Sequence, residues 1–266
     1  MEPWRLWLQA AYLAAAGAAV GSFLNVCIDR LPAGRPILVS RSICDTCHRV
    51  LGPGDLVPLL SYLWLRGRCR SCHAPIPPRL FLVELLTGAL FAVVALAFAD
   101  SLFPQGVVLL LYAGLLIAIF FIDLEHQLVL DKVVYPALPV VLLLAPWGPP
   151  GTGAEGWGAY LSALGGGGAA FALFLAIYWA ARSRDGMGAG DVKLSLLVGL
   201  MLGAPLIVVA VLLGFVTGGG VGVFLLASRR KGLKSPVPSA TFLTGGAIVA
   251  MAWGNALWKW YLGLFG

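Results

Sequence analysis

Charged side chains are scarce in this 266-residue sequence. Asp, Glu, Lys and Arg together make up 11% of it, whereas hydrophobic residues make up 60%. A soluble domain carries about a quarter charged residues, so water cannot be the solvent for most of this surface. The scarcity of charge excludes an ordinary soluble protein. It favours helices that cross a membrane, each of which needs about 20 apolar residues.

Apolar runs of that kind recur along the chain. The run at 194–228 is too long for one helix, and Gly203-Ala204-Pro205 provides a break. We therefore predict an all-α polytopic membrane protein with about eight transmembrane helices, the fourth and the sixth having the least defined ends. They lie at 6–28, 80–99, 102–122 (beginning near Gly106), 133–147, 156–181, 194–228 (two helices) and 240–258. The first run is long for a signal peptide and lacks a small-residue cleavage site, so we interpret it as a retained helix.

Basic residues are concentrated in four of the intervening segments. Residues 29–79, 123–132, 182–193 and 228–238 hold 8, 1, 3 and 4 Lys or Arg, which is 16 of the 18 present. Loops rich in Lys and Arg stay in the cytoplasm, so we expect these four loops to be cytoplasmic and both termini to lie outside. The net charge of +6 then reflects topology and anionic lipid headgroups, not a nucleic-acid partner.

Four of the five cysteines lie in the first basic loop as two Cys-x-x-Cys pairs. Cys44 and Cys47 form one pair and Cys69 and Cys72 the other, with 21 residues between the pairs. This spacing is typical of a four-cysteine zinc site, in which each pair gives two thiolates to one tetrahedral ion. The loop is too small to fold on a core of its own, so the metal would supply its folding energy. Four thiolates close the coordination sphere, which predicts a structural zinc.

Other interpretations of the cysteines stay open from sequence. Two disulfides are disfavoured because thiols remain reduced in the cytoplasm, and two copies at this spacing are unusual for a redox motif. His48 and His73 each follow a cysteine and could substitute as ligands. Cys27, near the end of the first apolar run, is expected to be a packing residue.

Acidic residues number only 12, and one at the centre of a membrane helix costs about 2.5–3.5 kcal/mol. Asp123 closes the third apolar run, and Asp191 closes Gly188-Ala189-Gly190-Asp191 before the sixth. Both lie at the predicted cytoplasmic face, so they could meet in one site. Two carboxyl groups in one site do not easily both ionise. The ionised one can then take a proton from water while the protonated one polarises a peptide carbonyl.

Alternatives for these acids also remain. Asp123 could be an interfacial charge, and Asp191 could be a helix N-cap. The same loops hold three further acids, Glu125, Asp131 and Asp185. Glu84 lies about one turn inside the second span, where it could pair with a basic residue of the first loop or contact a substrate or cofactor. The glycines before Asp191 would let the protein backbone approach a substrate closely.

The motifs together resemble the type IV prepilin peptidases, a family of intramembrane aspartyl proteases. Five stretches carry the resemblance in order along the chain: Gly21-Ser22-Phe23-Leu24-Asn25-Val26 with Arg30-Leu31-Pro32, the two Cys-x-x-Cys pairs, Glu84-Leu85-Leu86-Thr87-Gly88, Ile122-Asp123, and Gly188-Ala189-Gly190-Asp191-Val192-Lys193-Leu194. One departure stands out, since the family commonly has Leu-Pro-Asp where this chain has Val129-Leu130-Asp131.

The resemblance implies a bacterial inner-membrane enzyme with two activities. It would cleave the basic leader of prepilins or pseudopilins after a glycine at the cytoplasmic face. It would then methylate the new N-terminal residue, usually Phe, with S-adenosylmethionine. Asp123 and Asp191 match the family's catalytic aspartates, and the four cysteines match its zinc ligands. The expected parts are a first transmembrane helix (1–28), a cytoplasmic zinc loop (29–79) and a helix bundle with the protease site (80–266).

Two rival functions have weaker support. A secondary transporter would place its acids near the middle of the membrane, whereas both candidate aspartates lie at span ends. A non-catalytic membrane scaffold would use only the zinc loop, to recruit a partner. The glycine runs 165–168 and 218–220 are interpreted as close helix packing and not as a cofactor site.

Overall fold

A computed structural model describes residues 3–37, 41–98, 102–149, 156–181, 188–228 and 239–263. Within these ranges the chain is helical apart from turns, loops and two isolated antiparallel bridges, which confirms the all-α prediction. The α-helices are α1 (Pro3–Arg30), α2 (Leu60–Trp64), α3 (Pro78–Ala97), α4 (Val107–His126), α5 (Asp131–Leu144), α6 (Trp157–Ala181), α7 (Ala189–Leu202), α8 (Leu206–Ala227) and α9 (Ser239–Leu262).

Six of these helices, α1, α3, α4, α6, α8 and α9, are long and apolar enough to cross a membrane. The predicted fourth and sixth spans are the 14-residue helices α5 and α7, each about 21 Å long. The predicted break is confirmed, because α7 ends at Leu202 and α8 begins at Leu206. α7 also begins five residues earlier than the predicted span, at Ala189, so Asp191 lies inside a helix.

The chain forms two compact units, residues 1–118 and 119–266. In the first unit, α1 packs along α3 through glycines of the sequence motifs. A Cβ at Gly21 would lie 2.7 Å from the Cα of Glu84, and one at Gly88 would lie 3.0 Å from the carbonyl oxygen of Ala14. The side-chain amide of Asn25 donates to the carbonyl of Leu80 over 2.9 Å. These motif residues therefore hold two membrane helices together.

In the second unit, α7 is enclosed by its neighbours. Ten of its 14 residues are buried, and it packs against α5, α6 and α9. A Cβ at Gly199 would lie 2.6 Å from the Cα of Gly167, so close packing is confirmed for Gly166 and Gly167, whereas Gly165 and Gly168 face open space. In the 218–220 run, Gly218 meets the ring of Phe242, whereas Gly219 and Gly220 face open space. Asp191 is thus carried by a helix that is buried along most of its length.

Candidate active site and metal centre

Asp123 lies in the last turn of α4 and is buried, with 4% of its surface exposed. Its Oδ2 accepts two hydrogen bonds from Thr241, one from the backbone N–H at 2.6 Å and one from the hydroxyl at 2.8 Å. A buried carboxylate is costly unless it is hydrogen-bonded, and here the donors are supplied. The interpretation of Asp123 as an exposed interfacial charge is therefore wrong.

Asp191 is the third residue of α7 and is 6% exposed. Its Oδ2 accepts a hydrogen bond of 2.6 Å from the hydroxyl of Ser239. Gly188 occupies the N-cap position of α7 without a side-chain bond. The interpretation of Asp191 as the N-cap residue is wrong, since Gly188 holds that position and Asp191 lies in the first turn. Its carboxyl group accepts hydrogen bonds from Ser239 of α9 and from the backbone N–H of Gly188.

The first turn of α9 joins the two aspartates. α9 begins at Ser239, so the N–H of Thr241 belongs to the turn that has no intrahelical acceptors. Residues two apart on a helix point to different sides, which lets Ser239 and Thr241 reach carboxyl groups on two separate helices. The carboxyl groups are close enough to interact electrostatically. The positive end of the α9 dipole favours negative charge at this position.

Sequence reasoning missed Ser239 and Thr241. The available signal was a pair of hydroxyl residues at the start of the last span, on the same predicted face as both aspartates. Ser and Thr are common at helix starts, where they cap their own helix. Only the placement of α9 beside α4 and α7 reveals that they serve aspartates distant in sequence.

Gly190 accommodates a neighbouring side chain of the protein itself. A Cβ at Gly190 would lie 2.8 Å from the Cβ of Val129. At Gly188 an added Cβ would meet only ordinary contacts of 3.9 Å or more. The expectation that the backbone at these glycines approaches a substrate is therefore corrected at Gly190, where Val129 fills the space.

Two of the other acids of these loops, Asp131 and Glu125, are exposed, unlike the buried pair. Asp131 is exposed and accepts hydrogen bonds of 2.9 and 3.1 Å from the ammonium of Lys193. Lys193 also lies over the ring of Tyr135, 5.1 Å from its centroid. Glu125 is exposed at the end of α4, and Asp185 lies outside the described residues. Asp131 therefore ties the start of α5 to α7.

Glu84 contacts the backbone of the cysteine loop. It is 9% exposed, and its Oε2 accepts a hydrogen bond of 2.7 Å from the N–H of Leu59. The hydroxyl of Ser22 is a further hydrogen-bond donor. The partners of Glu84 are thus an amide and a hydroxyl, where sequence reasoning expected a basic side chain, a substrate or a cofactor.

The four cysteines of the loop form one cluster. The sulfurs of Cys44, Cys47, Cys69 and Cys72 lie within 4.8 Å of one another, and those of Cys44 and Cys72 are 3.8 Å apart. Tetrahedral zinc with Zn–S bonds of about 2.3 Å places its sulfurs about 3.8 Å apart, whereas a disulfide bond is about 2.05 Å long. All four are free thiols, so the cluster has the dimensions of a metal site.

Two matching turns build this cluster. The N–H of His48 donates to the carbonyl of Cys44 over 2.9 Å, and the N–H of His73 donates to that of Cys69 over 3.0 Å. Both histidines have a left-handed backbone, with φ of 55° and 57°. Each histidine therefore closes a turn, and the metal-binding group found in the described residues consists of the four cysteines alone.

The electrostatics of the cluster favour a cation. Backbone amides of Cys72 and Ser71 donate to the sulfur of Cys69 and lower the pKa of its thiol to about 6. The amide of Ala74 lowers the pKa of Cys72, but desolvation and the neighbouring sulfurs outweigh it and raise this pKa to about 11. Without a cation the four thiols cannot all ionise easily. A divalent metal ion removes that conflict, so the donor set fits zinc.

The fold and the two sites define a class of protein. It is a helical membrane protein in which two buried aspartates share the first turn of a third helix and a four-thiol cluster lies in a loop between two spans. Comparisons with known proteins agree. Residues 15–98 match the bacterial peptidase A24 N-terminal domain, and residues 109–223 match the type IV leader peptidase family.

Three relatives share the name prepilin leader peptidase/N-methyltransferase. That of Aeromonas hydrophila is 32% identical over 96% of this chain and 94% of its own length. Those of Bacillus subtilis and Pseudomonas aeruginosa are 31% and 32% identical, each over 92% of this chain and over 95% and 91% of their own lengths. No solved structure matches the chain significantly. The chain belongs to the type IV leader peptidase family, which confirms the resemblance found in the sequence.

Proposed function

We propose that this protein cleaves the leader peptide of type IV prepilins or pseudopilins after a glycine, with Asp123 and Asp191 as the catalytic pair. The observation that carries the proposal is the shared attachment of both carboxyl groups to the first turn of α9. The relatives named prepilin leader peptidase/N-methyltransferase supply the substrate class.

The hydrogen bonds suggest a division of roles between the aspartates. Thr241 gives two donors to Asp123, and Asp191 receives the hydroxyl of Ser239 and the backbone N–H of Gly188. We assign the role of base to Asp123, whose two donors converge on one oxygen and stabilise its negative charge, so that it takes a proton from water. Asp191 carries the shared proton and polarises the scissile carbonyl. The hydroxyl of Ser239 can donate or accept, so it serves Asp191 in either state. The water oxygen adds to the carbonyl carbon, and a proton returns to the leaving amine as the C–N bond breaks.

The membrane setting suits this substrate. We infer that the protein lies in the bacterial inner membrane, with the four basic loops in the cytoplasm and both termini on the outer side. A prepilin presents a basic leader in the cytoplasm and an apolar helix in the bilayer, which places its scissile bond at the interface. Asp123 ends a spanning helix and Asp191 begins α7, so both aspartates meet the bond at that level. The expected partners are these substrates and lipid, with no nucleic acid.

The second activity and the metal belong to the same proposal. The relatives' name includes N-methyltransferase, so we infer that the new N-terminal residue, usually Phe, is methylated with S-adenosylmethionine as donor. We assign one structural zinc ion to Cys44, Cys47, Cys69 and Cys72, which would hold the loop in its fold. The three parts 1–28, 29–79 and 80–266 then serve as the first helix, the zinc loop and the protease bundle.

The protease proposal is tested by leader cleavage. Purified protein in detergent is mixed with a prepilin-like peptide, and the products are followed by mass spectrometry. Asp123→Asn and Asp191→Asn are each expected to abolish cleavage without loss of the folded protein, because each removes one half of the pair. Asp131→Asn, which changes an exposed acid paired with Lys193, is the matched control and is expected to stay active. Retained cleavage in both active-site variants would overturn the assignment.

The metal assignment is tested by elemental analysis of the purified chain. The wild type is expected to bind about one zinc per chain, and the Cys44→Ser/Cys72→Ser variant to lose it. Cys27→Ser is the matched control, because Cys27 is a buried thiol outside the cluster, and should keep its zinc. An unchanged zinc content in the double variant would show that the cluster is not the site.

A further inference from the structure

The short helix α2 lies beside the start of α3. The N–H of Leu59, the residue before α2, donates to Glu84 over 2.7 Å, and the ring of Tyr62 stacks on Phe81 with centroids 5.2 Å apart. Phe81 and Glu84 are the fourth and seventh residues of α3, so Glu84 lies about 9 Å along the helix from Pro78. Since α3 is one of the membrane-spanning helices, α2 is level with its first two turns.

The backbone before α2 is fixed in place. Leu59 has a φ of 61°, a left-handed conformation that residues other than glycine rarely adopt. The hydrogen bond to buried Glu84 is available only when the amide of Leu59 points toward α3. The position of α2 is therefore set by the membrane helix and does not depend on the cysteine cluster alone.

The outward side of α2 is apolar and exposed. Leu60, Leu63 and Trp64 follow helical spacing and are 64%, 60% and 86% exposed. Leu56 and Val57, just before the helix, are each 42% exposed. We call these five side chains the α2 face. A contiguous apolar surface of this kind in a soluble loop marks an interaction site.

The charged residues within the segment 56–68 are all basic. Arg66 and Arg68 follow α2 directly and are exposed, and no Asp or Glu occurs between residues 56 and 68. Tryptophan prefers the boundary between headgroups and acyl chains. Arginine buries its stem there while the guanidinium reaches the headgroup phosphates. The composition is that of an interfacial helix.

A cavity of about 330 Å³ opens beside this face. Its apolar walls include Val57, Leu60, Trp64 and Leu65, and its polar lining includes Arg70. Arg70 is ion-paired with Asp55 at 2.6 Å. Because Asp55 already balances the charge of Arg70, the apolar walls are the feature of this cavity that suits an acyl chain.

We propose that the α2 face is a membrane-docking surface that lies in the headgroup and acyl-chain boundary of the leaflet at which α3 begins, with Arg66 and Arg68 on anionic phospholipid phosphates. The lipid around the first turns of α3 is already at the height of α2, so lipid is the occupant that the geometry favours. Because Cys69 follows Trp64 by five residues, this docking holds the cysteine cluster at a fixed distance from the bilayer. The proposal is independent of the peptidase assignment.

The test is tryptophan quenching in the full-length protein. The chain has nine tryptophans, so the emission of Trp64 is obtained as the difference between wild type and Trp64→Phe. The protein is reconstituted in phosphatidylcholine vesicles with and without phosphatidylglycerol, with brominated acyl chains in one set and iodide in the water of another. The difference emission is expected to be quenched by brominated lipid and shielded from iodide, more strongly when phosphatidylglycerol is present.

Controls define the limits of the signal. Trp253 is exposed in the middle of the spanning helix α9. The difference in emission between wild type and Trp253→Phe therefore shows how a tryptophan in contact with lipid is quenched. Replacing Arg66 and Arg68 with Ser is expected to remove the effect of phosphatidylglycerol. Equal zinc content in all variants shows that the loop is folded. Quenching by iodide but not by brominated lipid contradicts the proposal, as does shielding that develops only when a prepilin-like peptide is added. An emission that is indifferent to phosphatidylglycerol contradicts the anionic assignment.

Discussion

At the scale of single residues, Thr241 determines how a buried charge on Asp123 is tolerated. Its hydroxyl and its N–H both donate to the same carboxylate oxygen. Hydrogen bonds to charged groups contribute about 1.5–3 kcal/mol each. The backbone donor survives any substitution, so the side chain can be tested alone.

We expect Thr241→Val to slow leader cleavage by about 10- to 100-fold, which is the rate equivalent of one such bond. Thr241→Ser restores the hydroxyl and should recover most of the rate. The measurement is kcat for a prepilin-like peptide, with KM little changed because the substrate is not touched. Thr217→Val is the control, since Thr217 bonds only within its own helix α8 in the described structure. Equal rates for Thr241→Val and wild type would remove Thr241 from the account.

Some residues of the two sites could be predicted from sequence and others could not. Asp123 and Asp191 stood out because acids next to membrane spans are costly, and the cysteines stood out through their spacing. Ser239 and Thr241 did not stand out, because Ser and Thr are favourable and common at any helix start. A single residue can be singled out from sequence when its position is energetically unfavourable. Ser239 and Thr241 are common residues at a helix start, so their role is visible only in the folded bundle.

At the scale of helices and turns, Val129 packs closely against the start of α7 because residue 190 is a glycine. An added Cβ there would lie 2.8 Å from Cβ of Val129, and overpacking of this kind costs about 1–3 kcal/mol. We expect Gly190→Ala to lower the thermal midpoint in detergent and to impair cleavage by displacing Asp191. Gly188→Ala, with space for its methyl group, should be close to wild type in both measurements.

A compensating substitution distinguishes two reasons for a glycine at position 190: lack of space for a side chain, and freedom of the backbone. Gly190→Ala combined with Val129→Gly removes the colliding atom, so part of the lost cleavage should return. If the double variant is no better than Gly190→Ala, contact with Val129 is not the reason for the glycine.

Helix boundaries were predictable where composition changes sharply. Gly203-Ala204-Pro205 separates α7 from α8 as expected. The start of α7 was placed too late because Asp191 and Lys193 resemble loop residues in sequence. Both are accommodated in the helix by distant partners, Ser239 and Asp131. α2 was missed because it is five residues long within a loop rich in Gly and Pro.

At the scale of the whole molecule, composition was the strongest guide. A chain with 60% hydrophobic and 11% charged residues can satisfy its backbone in lipid only as helices or as a closed barrel, and its long apolar runs favour helices. The order of the motifs then identified the family. Sequence could not show which elements hold the two carboxyl groups, because that depends on α4, α7 and α9 meeting after folding.

The central claim is that Asp123 and Asp191 act as one catalytic unit, and its most direct test is the residual cleavage rate of the Asp123→Asn/Asp191→Asn double variant beside both single variants. Groups that act together are strongly non-additive. We predict that the double variant cleaves no more slowly than the slower single variant, at equal zinc content and thermal midpoint. A double variant whose loss equals the product of the two single losses would contradict the account, because each aspartate would then act alone.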